Sequence, residues 1–172
     1  LISKQVIEGG NMRLSTKGRY AVTAMVDLAI RFSEGSPVPL ADIALRQEIS
    51  LSYLEQLFGK LRKGGLVKSV RGPGGGYAVA HDPANTRVAD IIFAVDEPIK
   101  ATRCNPGSPE GCKLDKSRCL THDLWDELTN QIHMYLNSVS LKDVVDKKIL
   151  GSSGIIYNQT LRASELNDGK LG

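Results

Sequence analysis

Hydrophobic positions recur every three or four residues along most of this chain, which is the spacing of a helix with one buried face. The first such stretch predicts a helix that Ser15 caps and that runs to about Ser33, where the sequence GSPVP interrupts it. A short second helix is predicted next, and its apolar set is Leu40, Ile43, Ala44 and Leu45. These two helices begin a mainly α-helical chain.

A third helix is predicted over about 51–63, with Ser50 as its N-cap and Gly64-Gly65 as its stop. Together with the second helix it forms a helix–turn–helix pattern. Residues 66–70 and 77–80 then alternate like two short strands, and the sequence RGPGGG between them predicts a hairpin tip that carries Arg71. The expected fold class is mainly α with a small β-hairpin, arranged as a winged helix–turn–helix DNA-binding domain.

The C-terminal half predicts further helices. Thr86 is the expected N-cap of a helix over about 88–96, and Ser140 that of a short last helix over 141–148. Between them a long amphipathic helix is predicted over 121–138. Since a small winged domain covers only part of such a helix, we expect the rest to pack on a second copy, as a dimerisation helix. Its predicted apolar face is Leu124, Leu128, Ile132, Tyr135 and Val139.

The pattern divides the chain into five parts. The N-terminal leader and the Gly/Ser/Asn-rich tail are expected to be disordered, because neither has a periodic apolar set. The predicted boundaries are 1–11 for the leader, 12–98 for the winged helix–turn–helix domain, 99–120 for a metal- or cluster-binding loop, 121–150 for the dimerisation helix with the short last helix, and 151–172 for the tail.

Charge adds one observation to this picture. The chain has 172 residues and a net charge of +3, but residues 12–81 carry ten Lys/Arg and five Asp/Glu, a net charge of +5. An excess of positive charge on the winged part is what a DNA-binding surface requires, although many ordinary domains carry as much. No apolar run is long enough for a membrane helix, and the first residues lack a signal-peptide pattern. We therefore expect a cytoplasmic, nucleoid-associated protein with no membrane partner.

The three cysteines of the chain and one histidine fall within nineteen positions, as C-x7-C-x6-C-x2-H. Their segment is rich in Gly, Pro and Lys and has little with which to build a core. Such ligands close a zinc site or hold an iron–sulfur cluster. The wide gaps slightly favour a cluster over zinc, while a redox-sensitive thiol and unligated surface cysteines stay open. The candidate ligands are Cys104, Cys112, Cys119 and His122.

Four sequence motifs, in this order, resemble the IscR family, Rrf-type bacterial transcription regulators that respond to iron–sulfur clusters. They are MRLSTKGRYAVTAMVDLA (12–29), ISLSYLEQLFGKLRKGGLV (49–67), VRGPGGGY (70–77) and AVDEPIKATRC (94–104). The resemblance extends from Met12 to about residue 150 and excludes the leader and the tail.

The resemblance implies a homodimer, formed through helix 121–138, that binds a double-stranded DNA operator. It also implies a 2Fe–2S cluster held by Cys104, Cys112, Cys119 and His122 and supplied by the iron–sulfur assembly machinery. The family's cluster-bound form represses assembly genes, and some cluster-free members act at a second class of sites. The interval between Cys104 and Cys112 is slightly longer than in the enterobacterial type, which loosens the loop without removing a ligand.

In a winged helix–turn–helix protein the third helix enters the major groove. Its first exposed residues and the wing arginine are the expected base-reading set: Ser52, Tyr53, Glu55, Gln56 and Arg71. Glu55 is expected to reject sites that lack a suitable donor, since an unpaired carboxylate is repelled by DNA. The alternative is an ordinary solvated residue. The expected phosphate contacts, some of which could equally be solvated charges, are Lys17, Arg19, Lys60, Arg62 and Lys63.

These observations leave three functions open. The first is a dimeric transcription regulator that senses cluster status, with the loop joining the dimerisation helix to the DNA-reading domain ordered by the cluster. The second is a winged-helix repressor with a zinc ion or a redox-sensitive thiol and no cluster sensing. The third is a cluster carrier or redox enzyme. No acid/base set or second cofactor motif accompanies the cysteines, so we expect no enzymatic activity.

Overall fold

The computed structural model describes residues 16–32, 35–96, 111–113 and 115–149. Ser15, Ser33, Cys104, the leader and the tail lie outside these residues. In chain order the elements are α1 (Thr16–Phe32), α2 (Leu40–Gln47), α3 (Leu51–Lys63), β1 (Val67–Val70), β2 (Gly76–Val79), α4 (Val88–Ala94), α5 (His122–Ser138) and α6 (Leu141–Val145). The mainly α fold with one β-hairpin is confirmed.

The main core lies where α1, α2 and α3 meet. Met25 and Leu28 of α1, Ile43 of α2, and Leu54 and Phe58 of α3 are each fully buried in one cluster. The helical spacing of these positions turns one stripe of each helix inward. Leu45 differs from the expectation, since it is 83% exposed on the outer side of α2. The core fixes α3 at a defined angle and leaves its opposite face to solvent.

The turn before α3 holds that helix in place. Glu48 adopts a left-handed backbone (φ 54°) at the end of α2, and Ile49 is buried against the core. The Ser50 hydroxyl then accepts a hydrogen bond from the Tyr53 N–H at 3.3 Å, as predicted for an N-cap. At the other end, the N–H of Gly64 donates to the carbonyl of Lys60 at 2.9 Å, so the predicted stop is also confirmed.

The wing is an antiparallel hairpin in which Val67 pairs with Val79 and Val70 pairs with Gly76. Val38, before α2, adds a bridge: its N–H and carbonyl each hydrogen-bond to Tyr77 at 2.8 Å. A side chain on Gly76 would place its Cβ 2.4 Å from the Val38 backbone, so this close approach requires glycine. The hairpin is therefore anchored to the segment that leads into the helix–turn–helix.

Helix α5 packs on α4 through one of its faces. Ile132 and Leu136 contact a small cluster that contains Val88 and Ile92 of α4. Leu124 and Tyr135, expected on the same face as Ile132, are instead exposed. One apolar face of α5 thus packs on α4, and the part of the chain that the structure describes leaves a second one, with Leu124 and Tyr135, exposed.

Thr86 does not cap α4, and that prediction is wrong. The N-cap residue is Arg87, whose N–H donates to the Asp90 carboxylate at 3.2 Å. Thr86 is buried, and its carbonyl accepts the N–H of Leu141 at 2.8 Å. The backbone of Thr86 therefore forms a tertiary hydrogen bond that the local sequence pattern does not reveal.

Helix α6 returns the chain to the main core. Ser140 caps it by accepting the Asp143 N–H at 3.1 Å, as predicted, and it also forms an isolated antiparallel bridge with Arg87. Leu141 is fully buried among the α1 core residues. Both ends of the segment between Arg87 and Ser140 are consequently joined at one point. Within the described residues, none of the helices is long and apolar enough to cross a membrane.

Candidate functional site

The solvent-facing side of α3 presents most of the predicted base-reading residues. Ser52, Glu55 and Gln56 are exposed near the N-terminal end of the helix. Tyr53 is half-buried and packs edge-on against Tyr20 of α1, with ring centroids 6.1 Å apart. Only part of the Tyr53 side chain is therefore accessible to a ligand, whereas the other three side chains project freely from the helix.

The predicted phosphate contacts surround this helix. Arg62 and Lys63 are exposed in the last turn of α3, and Lys60 lies one turn before Lys63. Arg19 of α1 lies 5.6 Å from the Tyr20 ring centroid, in a cation–π arrangement. Lys17, also on α1, is partly buried. The cations thus come from two helices that the core holds together.

Arg71 follows β1 directly and is exposed at the tip of the wing. Gly72 and Gly74 adopt positive φ values of 107° and 72°, which allow the chain to reverse there. The hairpin thus holds the guanidinium group away from the domain body. Such a position suits insertion into a DNA groove beside the one that α3 would enter.

Cys112, Cys119 and His122 come together in space. Each offers a ligand atom, and these atoms all lie within 4.8 Å of one another. Cys104, the fourth predicted ligand, lies outside the described residues. The sequence spacing alone left open whether the cysteines meet, and the structure brings two of them to one histidine.

His122 differs from an ordinary surface histidine. It is the first residue of α5, it is only 3% exposed, and its buried Nδ1 has no hydrogen-bond partner among the described residues. A buried polar atom without a partner costs free energy unless something binds it. A metal ion or cluster iron would satisfy this nitrogen, so the donor set fits a metal.

A compact turn brings Cys112 near Cys119. The N–H of Gly111 donates to the carbonyl of Lys116 at 2.8 Å, and that of Lys113 to the carbonyl of Ser117 at 3.2 Å. A Cβ on Gly111 would lie 2.0 Å from the Ser117 carbonyl oxygen, so only glycine allows this approach. The Asp115 carboxylate accepts the N–H and hydroxyl of Ser117, and these hydrogen bonds lower the pKa of Asp115.

The start of α5 fixes the other two ligands. The N–H of His122 donates to the carbonyl of Cys119 at 3.0 Å, which ties the two residues together through the backbone. The Thr121 hydroxyl oxygen accepts a hydrogen bond from the Trp125 indole at 3.0 Å and lies 3.9 Å from the Cys119 sulfur. Trp125 thus supports the turn that presents Cys119.

Sequence reasoning missed an ion pair that joins α1 to α2. Arg46 donates to both carboxylate oxygens of Asp27, the shortest contact being 2.6 Å, and Gln47 donates to the same carboxylate at 2.6 Å. Burial raises the pKa of Asp27, but the hydrogen bonds and charge of Arg46 outweigh it, with a net lowering. The available signal was an acidic residue inside the apolar stripe of α1, between Met25 and Leu28.

Comparison with known proteins is consistent with this arrangement. A family model described as Rrf2, iron-dependent transcriptional regulator, matches residues 14–147. The chain is 56% identical to the HTH-type transcriptional regulator IscR of Photorhabdus laumondii, covering 88% of this chain and 91% of that protein. It is 59% identical to the IscR of Xenorhabdus nematophila, over 78% of this chain and 79% of that protein. These relatives are transcription regulators and not enzymes.

Solved structures show the same architecture. The structure of T. potens IscR superposes with a TM-score of 0.64 at 39% identity and covers 83% of this chain and 92% of that one. CymR, the global cysteine regulator of B. subtilis, superposes with a TM-score of 0.65 at 34% identity, over 78% and 97% of the two chains. The winged helix–turn–helix, the cysteine–histidine group and these matches together establish that the chain belongs to the Rrf2 family of transcription regulators.

Proposed function

We propose that this regulator binds its operator as a homodimer and senses iron–sulfur cluster status through a 2Fe–2S cluster. The observation that carries this proposal is the grouping of Cys112, Cys119 and His122, whose ligand atoms lie within 4.8 Å of one another. In addition, the buried Nδ1 of His122 has no hydrogen-bond partner among the described residues. The regulators named IscR that this chain resembles support the choice of a cluster. The ligands would be Cys104, Cys112, Cys119 and His122.

When bound, the cluster would supply a metal–sulfur group whose presence reports on the iron–sulfur supply. The residues of the chain hold its ligands in place: the Cys119 carbonyl orients the His122 backbone, and Thr121 and Trp125 brace the Cys119 turn. We infer that the iron–sulfur assembly machinery is the cluster donor. Assembly genes would be the repressed targets, with a second class of sites bound in the cluster-free state.

A zinc site is the second candidate, and one observation favours it. Thiolate and imidazole ligands that share a single zinc ion lie about 4 Å apart, because zinc–ligand bonds are about 2.0–2.3 Å long. The three donor atoms of Cys112, Cys119 and His122 are close enough together for this arrangement.

Elemental analysis distinguishes the two candidates. Protein purified without oxygen would be analysed for iron, acid-labile sulfide and zinc, together with its visible absorption spectrum. Near-equal iron and sulfide, with charge-transfer bands that are lost in Cys119→Ala, would support the cluster. Zinc alone, with no sulfide even after anaerobic reconstitution, would support a structural-metal repressor without cluster sensing.

The DNA-binding surface would consist of α3, the wing and the basic residues beside them. We propose that Ser52, Tyr53, Glu55 and Gln56 read base edges in the major groove and that Arg71 enters the minor groove. Lys17, Arg19, Lys60, Arg62 and Lys63 would contact phosphates. The exposure of Ser52, Glu55, Gln56 and Arg71 supports this assignment.

The proposal also assigns a function to each segment of the chain. Residues 12–98 would form the DNA-binding domain, 99–120 the cluster-binding loop, and 121–150 the dimerisation element, with 1–11 and 151–172 outside these functions. The second apolar face of α5, where Leu124 and Tyr135 are exposed, supports dimerisation. A cytoplasmic, nucleoid-associated location follows from the function. Equal operator affinities of the cluster-bound and cluster-free proteins would contradict sensing.

A further inference from the structure

One carboxylate lies among the cations proposed to contact phosphate. Asp96 follows α4 in the chain, and its Oδ2 accepts a hydrogen bond from Nζ of Lys60 on α3 at 2.8 Å. The charges of Lys17 and Lys63 also reach this carboxylate: after the hydrogen bond and charge of Lys60, they contribute to a lowered pKa of Asp96. One of the five proposed phosphate contacts therefore hydrogen-bonds to this aspartate, and the charges of two others act on it.

The framework around this ion pair is fixed at both ends. Val95, beside Asp96, is fully buried in the main core. A Cβ on Gly64, at the end of α3, would lie 3.0 Å from the Cβ of Ala94, so the two helix ends are in close contact there. Asp96 itself adopts a left-handed backbone with φ 55°, which an aspartate tolerates better than most residues. The backbone position of Asp96, beside the end of α3, is thus set by the fold.

The carboxylate remains open to solvent. The Asp96 side chain is 76% exposed and that of Lys60 is 37% exposed, so the pair is not part of the core. Exposed ion pairs contribute little to stability because water and salt screen them. The pair lies on the proposed phosphate-binding side of α3. Its main effect is therefore to reduce the availability of the Lys60 ammonium group for other partners.

We propose that Asp96 competes with DNA phosphate for Lys60 and so lowers the affinity of this surface for any duplex, whatever its sequence. This rests on the proposed function, in which Lys60 contacts phosphate. To bind DNA, Lys60 must exchange the Asp96 carboxylate for a phosphate oxygen, and the carboxylate left behind repels the backbone. Affinity that comes from phosphate contacts is independent of sequence. Asp96 thereby makes binding depend more on the base contacts of α3.

The variant Asp96→Asn tests the proposal in the full-length chain. Asparagine also tolerates positive φ, and Asp96→Gly provides a second variant with no backbone penalty. Binding to a labelled mixed-sequence duplex would be followed by fluorescence anisotropy at a series of salt concentrations. We expect both variants to bind about two- to fivefold more tightly at low salt, which is the range for one exposed ion pair. The salt dependence of log K should steepen by about one unit, as for one additional phosphate contact.

A double-mutant cycle assigns the effect to Lys60. If Asp96 acts by occupying Lys60, the gain from Asp96→Asn should be clearly smaller in the Lys60→Gln background, where only the repulsion between the carboxylate and the DNA backbone is relieved. A gain that stays equally large there would overturn the assignment. Unchanged or weaker binding by both Asp96 variants would overturn the proposal, and weaker binding would show that Asp96 instead orients Lys60 toward DNA.

The matched control is Asp146→Asn. Asp146 is also an ion-paired aspartate at a helix end, 3.0 Å from Lys142, but it follows α6, which packs on α1. The Asp146→Asn substitution changes the net charge by the same amount as Asp96→Asn and should leave duplex binding unchanged. Failure of the wild-type chain to bind any duplex would overturn the proposed function as well, whereas normal wild-type binding with no effect of Asp96→Asn would overturn only this inference.

Discussion

Asp27 of α1, which is buried, and Arg46 of α2, which is partly exposed, form an ion pair in which the guanidinium group contacts both carboxylate oxygens. The pair joins the first helix of the domain to the first helix of the helix–turn–helix. Because α2 leads directly into α3, the geometry of this pair also sets how α3 is presented.

Asp27→Asn should destabilise the domain by about 1–3 kcal/mol, because it leaves Arg46 without its charged partner. Chemical denaturation monitored by circular dichroism would measure the change. The control is Asp42→Asn, an exposed carboxylate on the same helix as Arg46, which should cost about 0.5 kcal/mol or less. Equal effects of the two variants would show that the pair contributes nothing specific.

The same pair predicts a pH dependence. The pKa of Asp27 is lowered in the folded state, so its contribution is fully present above the unfolded value of about 4. The contribution is lost as the pH falls below that value and through the folded pKa. The stability difference between the wild type and Asp27→Asn should therefore be constant from neutral pH down to about 5 and shrink below about 4. A difference that grows toward acid would contradict the assignment.

Two serines at the start of α3 are expected to have different roles, Ser50 in the stability of the domain and Ser52 in DNA binding. Ser50→Ala removes the hydroxyl that accepts the Tyr53 N–H and should cost about 1 kcal/mol of unfolding free energy. Ser52→Ala changes an exposed side chain and should leave stability nearly unchanged while altering operator binding. Thermal denaturation and anisotropy of both variants measure the two effects. A loss of stability in Ser52→Ala alone would reverse these assignments.

His122→Ala should remove most of the iron and sulfide bound by protein prepared without oxygen, because it deletes the buried imidazole that we propose as a ligand. His81→Ala is the matched control, since His81 is exposed after the wing and lies outside the cysteine group. Its metal content and visible spectrum should match those of the wild type. Full retention of the cluster in His122→Ala would exclude this histidine as a ligand.

Glu55→Ala should broaden the set of DNA sites that the cluster-free protein binds, because a carboxylate in the groove repels sites that lack a donor. Selection from a random duplex library, followed by sequencing, measures this range. Lys63→Gln provides the contrast, since loss of a phosphate contact should weaken all duplexes about equally. An unchanged site preference in Glu55→Ala would leave it an ordinary solvated residue.

Leu124→Glu should weaken the proposed homodimer by about tenfold or more, because it places a charge on the exposed apolar face of α5. Tyr135 lies about three turns away on the same face. Asn137→Glu adds the same charge about 140° around the helix from Leu124 and should leave the dimer intact. Analytical ultracentrifugation measures the dissociation constant of the dimer for both variants. A wild-type chain that is monomeric at all concentrations would contradict dimerisation through this helix.

Local signals in the sequence predicted most of the fold. Ser50, Gly64 and Ser140 act through residues only a few positions away, and the alternation of residues 66–70 and 77–80 defines a hairpin without reference to the rest of the chain. Tertiary contacts explain the failures. Thr86 was assigned as a cap by its type, but its carbonyl pairs with Leu141, more than fifty positions later.

The candidate metal site was predictable in its residues but not in its geometry. The grouping of Cys112, Cys119 and His122 depends on a turn in which Gly111 approaches Ser117 too closely for any side chain. The burial of His122 likewise depends on how α5 packs. Asp96 carried no sequence signal, because its meeting with Lys60 requires α3 and α4 to end side by side.

The bridge between Arg87 and Ser140 means that everything from α4 to the end of α5, including the ligand-bearing segment, is a loop closed at its base. Each doubling of the length of a loop costs only about 0.6 kcal/mol of closure entropy, so one or two extra residues in about fifty cost almost nothing. The longer interval between Cys104 and Cys112 can therefore be absorbed without moving α5 on α4. The closed base, and not the length of the span between these two predicted ligands, therefore keeps α4 and α5 together.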